Sequence, residues 1–333
     1  MEQINKKLLV LGSQGLVGTA IKRSKIINQK FIVHYSNRAE ADLTNKKEVE
    51  SLFNSVKHNI TINCAWKVGG ILANNTQTYE FLTENLLINL NLFATLKKYE
   101  NSLLINLGSS SIYPKNSEYP LKESSLMTGP LEETNAAYSL SKIVGIAMGK
   151  AIESNILKTI NLIPTNLYGP NDNFDSQSSH VVPGLINKFY QAQENNDVEC
   201  IVWGSGKPTR ELLFVDDLVS ALEVIIESNP KEEIINVGSG SEISIEDLAN
   251  KISFITGYKG KVVFDTSKPD GVLRKTLDSS LISSLNWSPK VDLDDGLKRT
   301  YEWYKKINNI DWEIYELWNK KYWVKNWKSS EAK

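Results

Sequence analysis

The sequence predicts an α/β fold, in which a doubly wound parallel sheet is joined to a smaller C-terminal α/β domain. Through the first half of the chain, short apolar runs alternate with segments that have apolar residues at helical spacing, which is the pattern of parallel βαβ units. After Pro164 this alternation stops and turn-forming residues become frequent. The chain has 333 residues, 41% of them hydrophobic, which suffices for two domains of about 100–200 residues each.

The predicted strands and helices follow in order along the chain. Runs typical of strands buried on both faces occur at residues 8–11, 31–33, 60–63, 103–107 and 159–163. Helical periodicity is found at residues 15–28, 46–57, 78–98 and 136–154. Beyond Pro164 we predict a strand at 199–203 and a helix at 212–228 that packs on the first domain. The two domains are therefore expected to be interleaved in the sequence.

Charge and cysteine content narrow the functional class. The 38 basic and 39 acidic residues give a net charge of −1, so there is no overall positive field to attract nucleic acid or an anionic membrane. Cys64 and Cys200 do not make a disulfide framework, which favours a reducing compartment. The first residues lack the pattern of a signal peptide, and we expect a cytoplasmic protein whose partners are small molecules and protein.

A glycine-rich loop follows the first predicted strand and opens the first predicted helix. Gly12, Gly15 and Gly18 have the spacing GxxGxxG. Glycine at these places permits a tight turn and lets backbone N–H groups approach a pyrophosphate, while the last glycine allows close packing of helix on sheet. The loop predicts a dinucleotide site of the Rossmann type, with Gln14 and Leu16 also against the cofactor.

The segment after the second predicted strand favours NADP over NAD. Residues 34–38 lack the acidic side chain that would bind the two ribose hydroxyls of NAD. Arg38 offers a positive charge for the 2′-phosphate of NADP, and the alternative is that Arg38 is an ordinary solvated charge. Asp42 is expected nearer to the adenine.

A tyrosine and a lysine with acid–base potential lie on one predicted helix. Tyr138 and Lys142 are four residues apart, which places them on the same face. We expect the lysine charge to lower the phenol pKa from its usual value of about 10, and the ammonium to hold the nicotinamide ribose. Ser109 follows the strand at 103–107, at the edge where ligands bind in such sheets, and there it can donate to a substrate oxygen.

At this point the chain resembles the GDP-L-fucose synthase family of extended short-chain dehydrogenase/reductases. The resemblance runs from about Lys7 to Tyr304 and depends on several specific blocks. These blocks are KVGGILANN at 67–75, GSSSIYPK at 108–115, GPLE at 129–132, PTNLYGP at 164–170, VWGSG at 202–206 and SKPDG at 267–271. It implies a GDP-4-keto-6-deoxy-mannose substrate, epimerised beside its ketone and then reduced by NADPH, with Ser109, Tyr138 and Lys142 as the reduction triad. It also implies that Asn166 lies at the cofactor.

One departure from the family concerns the epimerisation. The family assigns this step to a cysteine and a histidine, and the matching positions here hold Ser111 and His180. An alcohol is a far weaker acid than a thiol with a pKa of about 8.5, so we expect reduction without epimerisation. A bifunctional enzyme, in which water or His180 takes over, is the alternative; Cys64 is an uncertain substitute for the missing thiol.

The resemblance further implies contacts to the substrate and a domain division. Five residues are expected at the GDP or the sugar: Lys188, Trp203, Arg210, Lys268 and Arg274. The predicted NADP-binding domain comprises residues 1–165 and 211–238, and the predicted substrate-binding domain comprises 166–210 and 239–309. Residues 310–333 form a Trp-rich tail, predicted as an amphipathic helix that docks on its own subunit or binds a partner. The helices at 78–98 and 136–154 are expected to form a homodimer interface, as they often do in this family.

Three other functions compete with the ketoreductase. A nucleotide-sugar dehydratase needs an acid pair after the strand-end serine, and residues 109–113 contain no carboxylate. A 4-epimerase would retain tightly bound NAD. A catalytically silent NADP sensor is disfavoured by the intact set of Ser109, Tyr138 and Lys142. The sequence leaves open whether the sugar is a hexose or a heptose.

Overall fold

The computed structural model describes residues 6–99, 102–152, 155–268 and 270–308. Its largest element is a six-stranded sheet in which every pair of neighbours is parallel. The strand order is β2-β1-β3-β4-β5-β9, with β1 at Lys7–Leu11, β2 at Ile32–Ser36, β3 at Ile60–Asn63, β4 at Ser102–Leu107, β5 at Leu157–Pro164 and β9 at Ile234–Val237. The predicted α/β fold with a doubly wound parallel sheet is confirmed.

Successive residues of β1 show why its sequence is apolar throughout. Leu8 and Val10 belong to one hydrophobic core, whereas Leu9 and Leu11 belong to another on the opposite face of the sheet. Because side chains alternate across a strand, a strand covered by helices on both faces needs apolar residues at every position. The helices of this region are α1 at Leu16–Arg23, α2 at Lys25–Lys30, α3 at Lys46–Val56, α4 at Ile71–Thr76, α5 at Thr78–Leu96, α6 at Ala136–Ala151 and α8 at Val215–Ser228.

Two smaller sheets form the second part of the molecule. In one, β8 (Thr209–Phe214) lies between β6 (Asn166–Tyr168) and β10 (Glu242–Ser244), while in the other β7 (Glu199–Trp203) pairs with β11 (Lys261–Asp265). A separate core packs them against α7 at Val181–Glu194, α9 at Ile245–Thr256 and α11 at Leu293–Asn308. The short helix α10, at Ser280–Ser284, packs on β9. The domain boundaries given above stay a prediction.

Two predicted helices differ from the observed elements. The helix expected at 212–228 begins only at Val215, because residues 212–214 end strand β8 and pair with β6. The helix expected at 15–28 is interrupted at Ser24, whose hydroxyl accepts from the N–H of Ile27 and so starts α2 as a new helix. The Trp-rich tail at 310–333 lies outside the described residues.

None of the described helices is long and apolar enough to cross a membrane. Within the described ranges, no group of three or more histidine, cysteine or acidic side chains could hold a metal ion. Cys64 and Cys200 are both free thiols.

Candidate active site

The glycine-rich loop between β1 and α1 is shaped by close backbone contacts. Gly12 has φ of +77°, and a Cβ there would come within 2.7 Å of the backbone nitrogen of Ala65. A Cβ on Gly18 would come within 2.4 Å of the carbonyl oxygen of Gly12. Both glycines are therefore required by the turn and by helix–sheet packing.

Gly15 has no such steric reason to be glycine. A Cβ there would meet nothing nearer than the Gly12 oxygen at 3.7 Å, and Gln14 and Gly15 are both exposed. Gly15 is also the N-cap of α1 and provides no side-chain cap, so the first N–H groups of that helix lack an intrahelical partner. Open space in front of free N–H groups fits the pyrophosphate of a dinucleotide. Leu16 faces the loop around Gly169, on the other side of this space.

Arg38 follows β2 and is 73% exposed, within reach of a ligand at the sheet edge. Its guanidinium pairs with Asp42 at 3.0 Å and approaches Glu84 at 3.8 Å. Glu84 in turn pairs with Lys67 at 2.7 Å. The structure thus pairs Arg38 with Asp42, which was expected nearer to the adenine, and adds Glu84, which the sequence prediction did not include. A 2′-phosphate would compete with both carboxylates for Arg38.

Ser109 and Tyr138 are brought together at the carboxyl end of β4. A hydrogen bond between them lowers the pKa of Tyr138, but burial outweighs it and raises that pKa above the ordinary value. The phenol ring also packs edge-on against Phe81 at 6.3 Å between centroids. Ser111 is buried and its Oγ donates to Ser109 Oγ at 3.1 Å. Ser111, Ser109 and Tyr138 therefore form one polar cluster.

Lys142 is 2% exposed and lies one helical turn after Tyr138. Its Nζ donates to the carbonyl oxygen of Leu107 at 2.8 Å and lies 5.5 Å from the centroid of the Tyr138 ring. Burial lowers the pKa of Lys142 well below its ordinary value. The expectation that the lysine charge lowers the Tyr138 pKa is wrong for this structure, because burial dominates and the opposing contribution comes from Ser109.

His180 is the N-cap of α7 and faces the segment that follows β3. The N–H of Gly70 donates to the carbonyl of Ser178, and a Cβ on Gly70 would meet the oxygen of Ser179 at 2.3 Å. Surrounding protein atoms and the charge of Lys275 both lower the His180 pKa. Burial and the charge of Arg210 lower the pKa of Lys275 to about 8. His180 and Lys275 therefore lie close enough for the charge of the lysine to affect the imidazole.

The predicted substrate residues form two groups. Trp203, at the end of β7, is 58% exposed, and the ammonium groups of Lys188 and Lys268 lie 5.6 Å and 5.5 Å from its ring centroid. Lys188 also donates to the carbonyl of Ile201 at 2.7 Å. It lines a cavity of about 430 Å³ between α7 and β7. An indole flanked by two cations suits an aromatic base with phosphates attached.

Arg210 and Arg274 have different surroundings. Arg210 donates to the carbonyls of Thr209 and Val272 at 2.7 Å. Arg274 is half exposed and pairs with Glu242 at 2.7 Å. The structure thus places Lys275, rather than Arg274, near His180 and Arg210. Asn166 donates its side-chain amide to the backbone oxygen of Glu211, which fixes it at the start of β6.

Two site residues were missed in the sequence. Lys275 is adjacent to Arg274 in the sequence. Only the local backbone conformation decides which of the two side chains lies towards His180 and Arg210. Trp66 follows the carboxyl end of β3, and its ring centroid lies 3.4 Å from Lys142 Nζ. The position of Trp66 after a buried strand was the available signal.

Comparison with known proteins places this site in a family. The NAD dependent epimerase/dehydratase family matches residues 8–238. GDP-L-fucose synthase 1 of Arabidopsis thaliana is 44% identical over 308 residues, which is 92% of this chain and 95% of the relative. The chain belongs to the GDP-L-fucose synthase family. The predicted resemblance is confirmed.

Solved structures of related fold extend this likeness to reductases. A GDP-6-OMe-4-keto-L-xylo-heptose reductase from C. jejuni is 30% identical with a TM-score of 0.84, covering 92% of this chain and 99% of its own. A GDP-L-fucose synthetase from Naegleria fowleri bound to NADP is 27% identical with a TM-score of 0.82, covering 92% of this chain and 96% of its own. The GDP-L-fucose synthase family thus shares its architecture with enzymes that reduce a heptose.

Proposed function

We propose that this chain is an NADPH-dependent oxidoreductase that reduces the 4-keto group of a GDP-linked 4-keto-sugar in nucleotide-sugar biosynthesis. The observation that carries the proposal is the position of Ser109 beside Tyr138, one helical turn from the buried Lys142. Such a set can bind a carbonyl oxygen and protonate it. The names of the related GDP-L-fucose synthases and of the heptose reductase support a GDP-sugar as the substrate.

The residues that would hold the cofactor form a continuous surface. Gly12, Gly15 and the N-terminus of α1 take the pyrophosphate, with Gln14 and Leu16 beside it. Arg38 takes the 2′-phosphate, for which it exchanges its pairs with Asp42 and Glu84. Bound NADPH supplies a hydride to the carbonyl carbon. The NADP-bound relative supports this choice of cofactor, and Asn166, at the start of β6, is proposed to contact the cofactor as well.

The protein's own part in the reduction is to hold the ketone and provide a proton. Ser109 donates to the carbonyl oxygen while Tyr138 transfers its phenolic proton to that oxygen as negative charge develops. The Tyr138 phenol is protonated at neutral pH because burial raises its pKa, and it gives up its proton only as negative charge develops on the ketone oxygen. Lys142, one helical turn after Tyr138, is proposed to hold the nicotinamide ribose with its ammonium.

We further propose that the chain reduces without epimerising. Ser111 replaces the family cysteine, and its hydroxyl is engaged with Ser109. Burial raises the pKa of Cys64 to about 12, so this thiol is a poor substitute at neutral pH. His180 is retained, and a bifunctional GDP-L-fucose synthase, in which His180 and water exchange the protons, is the second candidate.

The substrate diphosphate is proposed to lie among the cations of the second part. Lys188 and Lys268 flank Trp203, which is placed to stack on the guanine or to shield it. Arg210 and Lys275 lie on the side towards His180 and the sugar. Arg274 is assigned an outer role at the rim. The sugar itself is a hexose or a heptose.

We also propose a cytoplasmic homodimer. Leu87 and Leu90 of α5 and Leu140 of α6 are exposed apolar side chains on two helices that pack on each other. Exposed apolar groups of this kind suit a two-fold interface. The two free thiols suit a reducing compartment.

One experiment separates the two candidate functions. The protein is incubated with NADPH and GDP-4-keto-6-deoxy-mannose in deuterated water, and the product is examined by NMR. A reductase consumes NADPH and leaves the carbons beside the ketone without deuterium. Deuterium at those carbons would establish the bifunctional enzyme, and no consumption of NADPH with hexose or heptose ketones would refute the reductase.

A further inference from the structure

Trp66 lies where the segment after β3 meets the glycine-rich loop. A Cβ on Gly12 would contact the backbone nitrogen of Ala65 at 2.7 Å, so Ala65, the residue before Trp66, packs directly against the glycine-rich loop. The side chain of Asn85 holds the backbone of Lys67, the residue after Trp66, by two hydrogen bonds. Lys67 N–H donates to Asn85 Oδ1 at 2.8 Å, and Asn85 Nδ2 donates to the Lys67 oxygen at 3.0 Å. The indole is therefore presented on a backbone anchored on both sides.

The ammonium of Lys142 has few polar partners. Its Nζ lies 3.4 Å from the Trp66 ring centroid and donates to the Leu107 oxygen, and the residue is 2% exposed. The titratable groups that face it are Cys64, after β3, and Tyr138, on its own helix. Both are neutral at pH 7, because burial raises the pKa of each. In the described part of the chain, no carboxylate forms an ion pair with this ammonium.

A buried cation without an anion needs another source of stabilisation. The face of an indole carries negative charge density and attracts a cation, most strongly when water is excluded. We propose that Trp66 is a positioning residue for Lys142, holding its ammonium charged and in place beside Tyr138 and the cofactor. The inference rests on the proposed function for its cofactor, NADPH, and is independent of the sugar.

If Trp66 acts in this way, NADPH binding depends on both the aromatic ring of Trp66 and the positive charge of Lys142. Burial lowers the pKa of Lys142, and the ring opposes this shift because it stabilises only the protonated form. Replacing the indole by an aliphatic side chain should therefore let Lys142 lose its proton at a lower pH. A phenyl ring keeps the aromatic face, so Trp66→Phe is the conservative variant.

The test is a double-mutant cycle on NADPH binding, measured by fluorescence titration as a function of pH without any sugar. Trp66→Leu should weaken NADPH binding about tenfold at pH 7 and shift the loss of binding to lower pH. Trp66→Phe should stay within about threefold of the wild type. In a Lys142→Met background, Trp66→Leu should cause no further loss. Trp66→Met serves as a second ring-free variant, and thermal unfolding checks that each protein is folded.

Trp287 provides the matched control. It is buried in the core under α8, and its Nε1 donates to Ser220 Oγ at 2.9 Å. Trp287→Phe should lower the melting temperature without changing the pH dependence of NADPH binding. Equal losses from Trp66→Leu with and without Lys142, or no loss at all, would overturn the inference. A wild type that binds NADPH but reduces no GDP-linked ketone would overturn the proposed function alone.

Discussion

The hydroxyl of Ser111 donates to the hydroxyl of Ser109 at a distance of 3.1 Å. This hydrogen bond ties the residue at the position of the family's epimerisation cysteine to the group proposed to hold the ketone. Ser109 also accepts from the backbone N–H of Ser111 at 3.3 Å. We therefore expect Ser111 to orient the group that holds the ketone, a role that differs from proton exchange at carbon.

The first prediction concerns Ser111→Ala. Removing one neutral hydrogen bond of about 1 kcal/mol should lower kcat for ketone reduction by about fivefold, with KM for NADPH unchanged. Steady-state kinetics at 340 nm measure both constants. A loss of more than a hundredfold would mean that Ser111 itself moves a proton.

The companion variant Ser111→Cys restores the family residue. It should introduce deuterium exchange beside the ketone if His180 is already placed as the second group, because a thiol has a pKa of about 8.5. The exchange is followed by NMR in deuterated water. Ser111→Cys with His180→Gln is the control, and exchange that persists there would assign the second role elsewhere.

Tyr138→Phe should abolish reduction without unfolding the chain. The variant removes the proton donor but retains the ring that packs against Phe81. Loss of a general acid should lower kcat by about 10²–10⁴-fold, while the melting temperature and NADPH affinity stay close to the wild type. Turnover near the wild-type rate would exclude Tyr138 as the acid.

Arg38→Ala should convert a preference for NADPH into near indifference. Arg38 is 73% exposed, so solvent weakens its interaction with the 2′-phosphate and we expect a loss of about tenfold, the lower end for charged hydrogen bonds. The ratio of kcat/KM for NADPH and NADH measures it. Lys47→Ala, a change at an exposed lysine of α3, is the matched control and should leave the ratio unchanged.

The sequence predicted the parallel sheet well because its strands are buried on both faces. Leu8–Leu11 are apolar at every position, since they serve two cores. The sequence prediction was wrong at the end of β8, where it assigned Leu212, Leu213 and Phe214 to a helix. These residues are followed directly by α8, without a turn residue between strand and helix. Only the pairing of these residues with β6 identifies them as strand.

The candidate site also contains some residues that the sequence predicts and others that it does not. Tyr138 and Lys142 are predictable because four residues make one helical turn. The contact of Trp66 with Lys142 joins the ends of different βα units, and no local pattern encodes it. The position of Lys275 near His180 and Arg210 likewise has no local pattern in the sequence, because it depends on Arg274 pairing with Glu242 instead.

The last prediction is a pH dependence caused by Lys275. Burial and Arg210 lower its pKa to about 8, so the side chain is a cation below that pH and becomes neutral above it. A neutral amine no longer attracts the substrate diphosphate. Since kcat/KM reports the ionisation of the free enzyme, kcat/KM for the GDP-sugar should fall as the pH rises through about 8.

Substitutions at Lys275 distinguish this group from other groups with shifted pKa values. His180 has a lowered pKa and changes charge in more acidic solution, and burial raises the pKa of Asp172 to about 7. Lys275→Arg keeps the charge at every accessible pH and should remove the alkaline fall. Lys275→Met should lower kcat/KM at pH 7 and make it insensitive to pH in the same range. A fall near pH 8 that survives in Lys275→Arg would assign the ionisation to a different residue, because arginine cannot lose its proton there.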